Sequence, residues 1–254
     1  MNLILATAGL SPIEMEEAAT RLLNQASKLY KFDKVIMLTQ KNIQDYCPEV
    51  YRKYQNQVNE STKGYGFYAW KAELVHQIMS GKFGNCDGVV WIDAGCECFS
   101  NPATRYIFKR MISNAKKQGG WFYKLRTPEF MYTKADLLQQ YKKAAKVFPQ
   151  YQIQANFFIL FGNRGKKLAE FWKNLALQDI KNIDFSLSKI GEIGNFVEHR
   201  NDQSLLSISV KELGFSISNF VPISNPSSKL FKVRSYFNPV WVVRNRTGKS
   251  IIEK

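Results

Sequence analysis

The chain has 254 residues, enough for one large α/β domain or two small ones with a full core. Hydrophobic residues make up 45% and aromatic residues 14%, which excludes global disorder, and a formal net charge of +15 points to anionic partners: nucleic acid, anionic membrane surfaces or phosphorylated substrates. Four cysteines are too few for a disulfide scaffold at this length; Cys96 and Cys98, one residue apart, lack the usual zinc spacing, so all four read as thiols of a reducing compartment.

Leu3 to Ala8 reads as a first strand, and Gly9, Ser11 and Pro12 end it before a helical pattern that begins at Ile13. Ser11 is a candidate N-cap, with Pro12 at the first helical position and Glu14, Glu16 and Glu17 near the positive end of the dipole. Lys34 to Thr39 follows as a second strand, which completes a βαβ unit. Asn42 to Asn59 is polar, rich in tyrosine and helical in part.

The stretch G-Y-G-F-Y-A-W-K, residues 64 to 71, sets two glycines among aromatics and suggests close backbone approach. A helix with Trp70, Leu74, Val75, Ile78 and Met79 on its inward face follows, and Lys71 falls in its first turn, an unfavourable end for a cation unless an anion faces it. Val89 to Ile92 is an apolar run suited to a strand buried on both faces, and it delivers Asp93, Gly95 and Glu97 to the sheet edge where α/β proteins take ligands.

Ser100, Asn101 and Pro102 are expected to cap a helix that Gly119 and Gly120 end, and Trp121 to Leu125 is the next strand. Thr133 is expected to cap a helix carrying Leu137, Leu138 and Tyr141. Gln152 to Phe161 reads as a strand with Asn156 inside it, and a buried amide there needs partners. Lys166 to Leu177 is helical, and Glu198 to Ser204 precedes a helix that Gly214 ends. Asn201 or Asp202 would serve as its N-cap, which leaves His199, Arg200 and Gln203 without a structural purpose. One domain, 1–254, is the simplest organisation, with a first half to residue 125 and a second half and tail from 126.

Taken in order, G-Y-G-F-Y-A-W-K at 64–71, W-I-D-A-G-C-E at 91–97, Q-I-Q-A-N-F-F-I-L at 152–160 and H-R-N-D-Q-S-L-L-S at 199–207 resemble glycosyltransferases of the GT-A fold, in particular bacterial-type enzymes of surface polysaccharide and lipopolysaccharide synthesis. The resemblance implies a Rossmann-like α/β fold: a mixed, mostly parallel central sheet with helices on both faces. Its first half would bind the nucleotide and its second half the acceptor. It also implies a nucleotide-sugar donor, UDP-sugars among the candidates, and a glycan or lipid-linked acceptor.

Residue by residue, Asp202 and Gln203 would be catalytic. Ala6, Thr7, Ala8, Trp70, Lys71, Asp93, Ala94, Gly95, His199, Arg200, Arg244 and Arg246 would bind the donor, and Glu129 and Asn156 the acceptor. Asp93 matches the first carboxylate of the family's Asp-x-Asp metal motif, but Gly95 stands where the second belongs. Glu97 is then the candidate second ligand for a divalent cation, Mn2+ or Mg2+; without a metal, Lys71, Arg244, Arg246 and Lys249 are the cations left to neutralise a diphosphate.

Two other readings use the same residues. The net charge, with lysine and arginine recurring from Lys109 through Lys146, would suit a basic nucleic-acid-binding protein, although no recognition motif accompanies it and no nucleic-acid partner is expected. A strand that ends in Asp and then glycine also occurs in phosphate-handling α/β hydrolases, but their further Asp and Thr are missing. The N-terminal apolar run is too short for a signal peptide, and no segment approaches the roughly 18 apolar residues of a bilayer span. A cytoplasmic protein is therefore expected, peripheral at an anionic membrane through its basic rim.

Overall fold

A computed structural model describes residues 1–10, 12–145, 151–218 and 236–251. Strand β1 (Leu3–Ala8), helix α1 (Ile13–Leu29) and strand β2 (Lys34–Leu38) form the expected opening unit. The short helices α2 (Ile43–Tyr46), α3 (Pro48–Lys53) and α4 (Gly64–Phe67) lead to α5 (Ala69–Met79), β3 (Gly88–Ile92) and β4 (Glu97–Cys98). Helix α6 (Pro102–Gln118), β5 (Gly120–Pro128), α7 (Ala135–Gln140), α8 (Lys142–Ala145) and β6 (Tyr151–Phe161) follow, then α9 (Gly162–Gln178), α10 (Asn201–Glu212) and β7 (Val240–Trp241).

The central sheet has the order β2-β1-β3-β6-β5, with β1 parallel to β2 and β3, and β6 antiparallel to both its neighbours. Four strands thus run one way and β6 alone runs back. This mixed, mostly parallel sheet, flanked by helices, is consistent with a GT-A-like fold. Alternate residues along each strand feed two cores. Ile4, Ala6, Val89 and Trp91 pack towards α5, α9 and α10, whereas Leu3, Leu5, Val90 and Ile92 pack towards α1 and α6. The sheet is therefore covered on both faces, as the unbroken apolar run of β3 requires.

Because β6 is antiparallel, its pairing with β3 stops at Ile92↔Phe157, and the half of β6 before Phe157 projects past the carboxyl end of β3. The register slips in that half, from Phe122↔Phe158 to Lys124↔Ile153 along β5. Such an irregularity re-aims side chains, and it directs Asn156 towards Asp93.

Several helix boundaries differ from the sequence expectation. Ser11 lies outside the described residues. Thr133 does not cap α7, whose N-cap is Lys134; its hydroxyl donates instead to the Glu129 carboxylate. Neither Asn201 nor Asp202 caps α10, because both side chains are committed to partners across the fold. By contrast, Asn101 and Thr104 form a reciprocal capping box at the start of α6, with Pro102 in the first turn.

Candidate active site

Asp93 leaves the carboxyl end of β3 and is held from three sides. The Trp91 indole N–H donates to its Oδ1 at 2.6 Å, the Asn156 amide donates to its Oδ2 at 2.6 Å, and the Lys71 ammonium lies 3.0 Å from Oδ1. Trp91 is itself fixed in an aromatic column, stacked on Phe158 and packed against Trp70. The buried indole therefore supplies both core packing and an oriented donor.

Lys71 is buried in the first turn of α5, and its second ion pair is with Asp202 at 2.7 Å. The rings of Tyr68 and Trp91 close its other sides, with centroids 5.7 and 5.3 Å from Nζ. Burial alone pushes the ammonium towards neutrality, but Asp202 and Asp93 more than reverse this, so its pKa lies above the ordinary lysine range. Two carboxylates around one ammonium leave one negative charge in excess. Burial first, and then the Asp93 charge, push the Asp202 carboxyl up to about 6, against the pull of Lys71.

An unusual backbone aims this cluster. Gly64, Tyr65, Gly66, Phe67 and Tyr68 all have positive φ, from 55° to 96°, so a left-handed turn immediately precedes α5. L-residues in this region cost about 1–2 kcal/mol each, and strain of this kind collects at functional sites. The turn is held by the Trp70 indole, which donates to the Gly64 carbonyl at 2.8 Å. Asn201, at the start of α10 beside Asp202, also has positive φ, and its amide donates to the Ile183 carbonyl.

The projecting half of β6 adds a row of amides. The Gln203 amide donates to Gln152 Oε1 at 2.6 Å, and the Arg200 guanidinium lies over the Tyr132 ring, 3.5 Å from its centroid. Gln154 donates to Asn156 Oδ1, while its own Oε1 is buried without a partner among the described residues. Asp93, Lys71, Asp202 and Asn156 are joined by direct contacts, with Trp70 packed against Trp91 behind them, whereas Gln203 and Arg200 share Gln152 in a second network that adjoins the first through the chain at Asp202-Gln203. Ala6, Thr7 and Ala8 end β1 alongside, since Ala6 pairs with Trp91, and the Thr7 hydroxyl is buried without a partner among the described residues.

Glu97 is placed otherwise. It is wholly buried and accepts from Asn245 Nδ2 at 2.6 Å, Ser250 Oγ at 2.7 Å and the Ile251 N–H at 3.0 Å, with the Arg21 guanidinium at 3.0 Å. Burial alone would raise its pKa; these donors more than offset that and hold it below the usual carboxylate range. Arg21 also donates to the carbonyls of Ala94 and Asn245, and the Asn245 N–H donates to the Gly95 carbonyl. The strap after β7 is thus fastened across α1 and the Ala94-Gly95 turn. It carries Arg244, Arg246 and Lys249, all exposed, and a side chain at position 95 would meet Arg244 at 3.5 Å.

Two other candidates lie further back, His199 in a network of its own and Glu129 behind the Thr133 hydroxyl, which accepts from the Gln152 amide. His199 is buried, its Nε2 pairs with the Asn182 carbonyl at 2.8 Å, and burial followed by the Lys134 charge lowers its pKa to about 3. It is a neutral imidazole that anchors the loop before α10. Glu129 is buried in an ion pair with Lys211 and accepts from Thr133 and Ser207.

The donor set does not fit a resident divalent cation in this arrangement. Asp93 and Asp202 share the Lys71 ammonium, Glu97 is saturated by Arg21 and the strap, and no group of three or more His, Cys, Asp or Glu is poised to hold a metal among the described residues. Sequence reasoning missed Tyr68, Gln152, Gln154, Arg21 and Asn245. The paired glycines at 64 and 66 signalled the turn that places Tyr68, but nothing local marked the others.

No protein-family model and no curated protein matches the chain. Among solved structures, the apo form of mouse xyloside xylosyltransferase 1 is similar to it, with a TM-score of 0.48 and 10% sequence identity over 97% of this chain and 99% of that one. A likeness at that distance carries no inference about activity.

Proposed function

We propose that the chain is a glycosyltransferase that moves a sugar from a nucleotide-sugar donor to a glycan or lipid-linked acceptor, of the kind used in surface polysaccharide or lipopolysaccharide synthesis. The observation that carries this reading is the Asp93-Lys71-Asp202 clamp at the carboxyl ends of parallel strands, the place where open α/β sheets take ligands.

Asp202, with its pKa near 6, is ionised at neutral pH yet more basic than an ordinary aspartate. It has the chemistry to accept the acceptor hydroxyl's proton or to stabilise positive charge developing at the anomeric carbon. Lys71 fixes its orientation, and Asn156 and Trp91 fix Asp93. The amides of Gln152 and Gln203, with Arg200, offer donors and acceptors suited to sugar hydroxyls. Charge on the leaving diphosphate falls to Arg244, whose backbone lies beside Gly95, and to Arg246 two residues further along the strap, because Lys71 is already shared between two carboxylates.

The test is turnover of a panel of nucleotide sugars, as hydrolysis or transfer, by wild type, Asp202→Asn and Asp93→Ala. Turnover of at least one donor is expected, falling about a hundredfold or more in each variant. Wild-type turnover in both folded variants would overturn the assignment.

A further inference from the structure

Helix α6 carries Arg105, Lys109, Arg110, Lys116 and Lys117 on its exposed side and no acidic residue anywhere along its length. Its opposite side, including Phe108, Met111 and Ile112, is buried against the sheet. The five cations therefore project from one face, spread over roughly 18 Å of helix. None of them forms an ion pair among the described residues.

Exposed aromatics gather at the amino end of the same helix. Tyr106 is 60% exposed, and Tyr236 and Phe237 are each 51% exposed. The Asn101 amide, at the helix cap, donates to the Tyr236 carbonyl at 3.0 Å, which ties that pair of rings to the start of α6. Solvent-facing aromatics beside a basic helix face suit a partner that is apolar at one level and anionic at the next.

We infer that the outer face of α6, with Tyr106, Tyr236 and Phe237, is a docking surface for an anionic lipid bilayer. Headgroup phosphates meet the cations, and tyrosine and phenylalanine rings enter the headgroup level. Stacking of nucleic-acid bases fits this surface less well. The Tyr236 and Phe237 rings pack edge to face on each other at 78°, and the Arg110 guanidinium lies 5.9 Å from the Tyr106 ring, so no row of open ring faces follows the basic stripe. The inference rests on charge and exposure alone and is independent of the proposed activity, so either can fail without the other.

Flotation of the full chain with phosphatidylserine-containing vesicles and with pure phosphatidylcholine vesicles tests it. Wild type should float with the anionic vesicles only, and less at high salt. Each cation removed near such a surface lowers partitioning about fivefold, so the double substitution Lys109→Gln/Arg110→Gln should cost more than tenfold. Removing two exposed charges from α9 on the other face of the sheet, Lys166→Gln/Lys167→Gln, should change it little. All four positions are exposed, and unchanged thermal midpoints verify that the variants fold. Equal losses in the two double variants would reduce the effect to net charge and overturn the proposal. So would indifference to phosphatidylserine, or binding to an RNA oligonucleotide that depends on Lys109 and Arg110 while vesicles are ignored.

Discussion

Lys71 holds its ammonium 2.7 Å from the Asp202 carboxylate, which joins the first turn of α5 to the first turn of α10, 131 residues later in the chain (202 − 71). Removing one partner of a buried ion pair leaves the other charge unpaired, at a cost of about 3–5 kcal/mol. Lys71→Met should therefore lose stability on that scale, because both Asp93 and Asp202 are stranded. Urea unfolding at neutral pH measures it, and a loss below about 1 kcal/mol would show that the carboxylates find other cations.

The same clamp sets a pH dependence. The Asp202 carboxyl is raised from 3.8 to about 6 on folding, so the folded chain binds this proton more tightly than the unfolded one. Its contribution to stability is complete below the unfolded value and is lost as pH rises through about 6. The stability of Asp202→Asn relative to wild type should therefore climb by about 3 kcal/mol between about pH 3 and pH 7. A difference that stays flat over this window would place the excess proton elsewhere.

His199 works in the opposite direction. Its folded pKa of about 3 lies below the ordinary 6.5, so its neutral form contributes stability above 6.5 that is lost as pH falls through the folded value. The chain has two histidines, which makes imidazole NMR direct. The His199 resonances should stay those of the neutral ring, protonated at Nε2, down to about pH 5. Titration near 6.5 would show that the buried setting at Asn182 is wrong.

Much of this arrangement was legible in the chain. The apolar run ending at Asp93 and the ill-placed cation at Lys71 both announced themselves by local rules, and the anion demanded by Lys71 exists twice over. Asn156 was conspicuous as an amide within a strand, and its partner is Asp93. What stayed hidden depends on contacts far apart in sequence. Glu97 reads as a second metal ligand next to Asp93, but Arg21 and Asn245 claim it from 76 and 148 residues away (97 − 21; 245 − 97). The residues at the start of α10 read as caps, yet tertiary partners take both Asn201 and Asp202. A left-handed turn that includes three aromatic residues contradicts their intrinsic preferences, and only the surrounding packing holds it.

Glu97→Gln should release the strap. It removes the counter-charge of a buried Arg21 and weakens the acceptor for Asn245, Ser250 and the Ile251 N–H, at about 3–5 kcal/mol. Limited proteolysis should then cut within 242–251, and wild type should resist there. Retained protection would show that β4 and β7 hold the strap without Glu97.

The turn before α5 has little tolerance. A Cβ on Gly64 would come within 2.4 Å of the Tyr68 ring, at a φ of +64° that L-residues avoid. Gly64→Ala should cost about 2 kcal/mol or more and displace Tyr68 from Lys71. Equal urea midpoints for the variant and wild type would mean that the turn relaxes freely.

The most direct measurement is the thermal midpoint of wild type against nucleoside diphosphates and nucleotide sugars, with and without Mn2+, beside Asp93→Ala. A ligand that binds only the folded state raises the midpoint with the logarithm of its concentration. At least one nucleotide should do so for wild type, and the rise should shrink in Asp93→Ala. No midpoint rise with any nucleotide, under either metal condition, would contradict a sugar-nucleotide site at the Asp93-Lys71-Asp202 clamp.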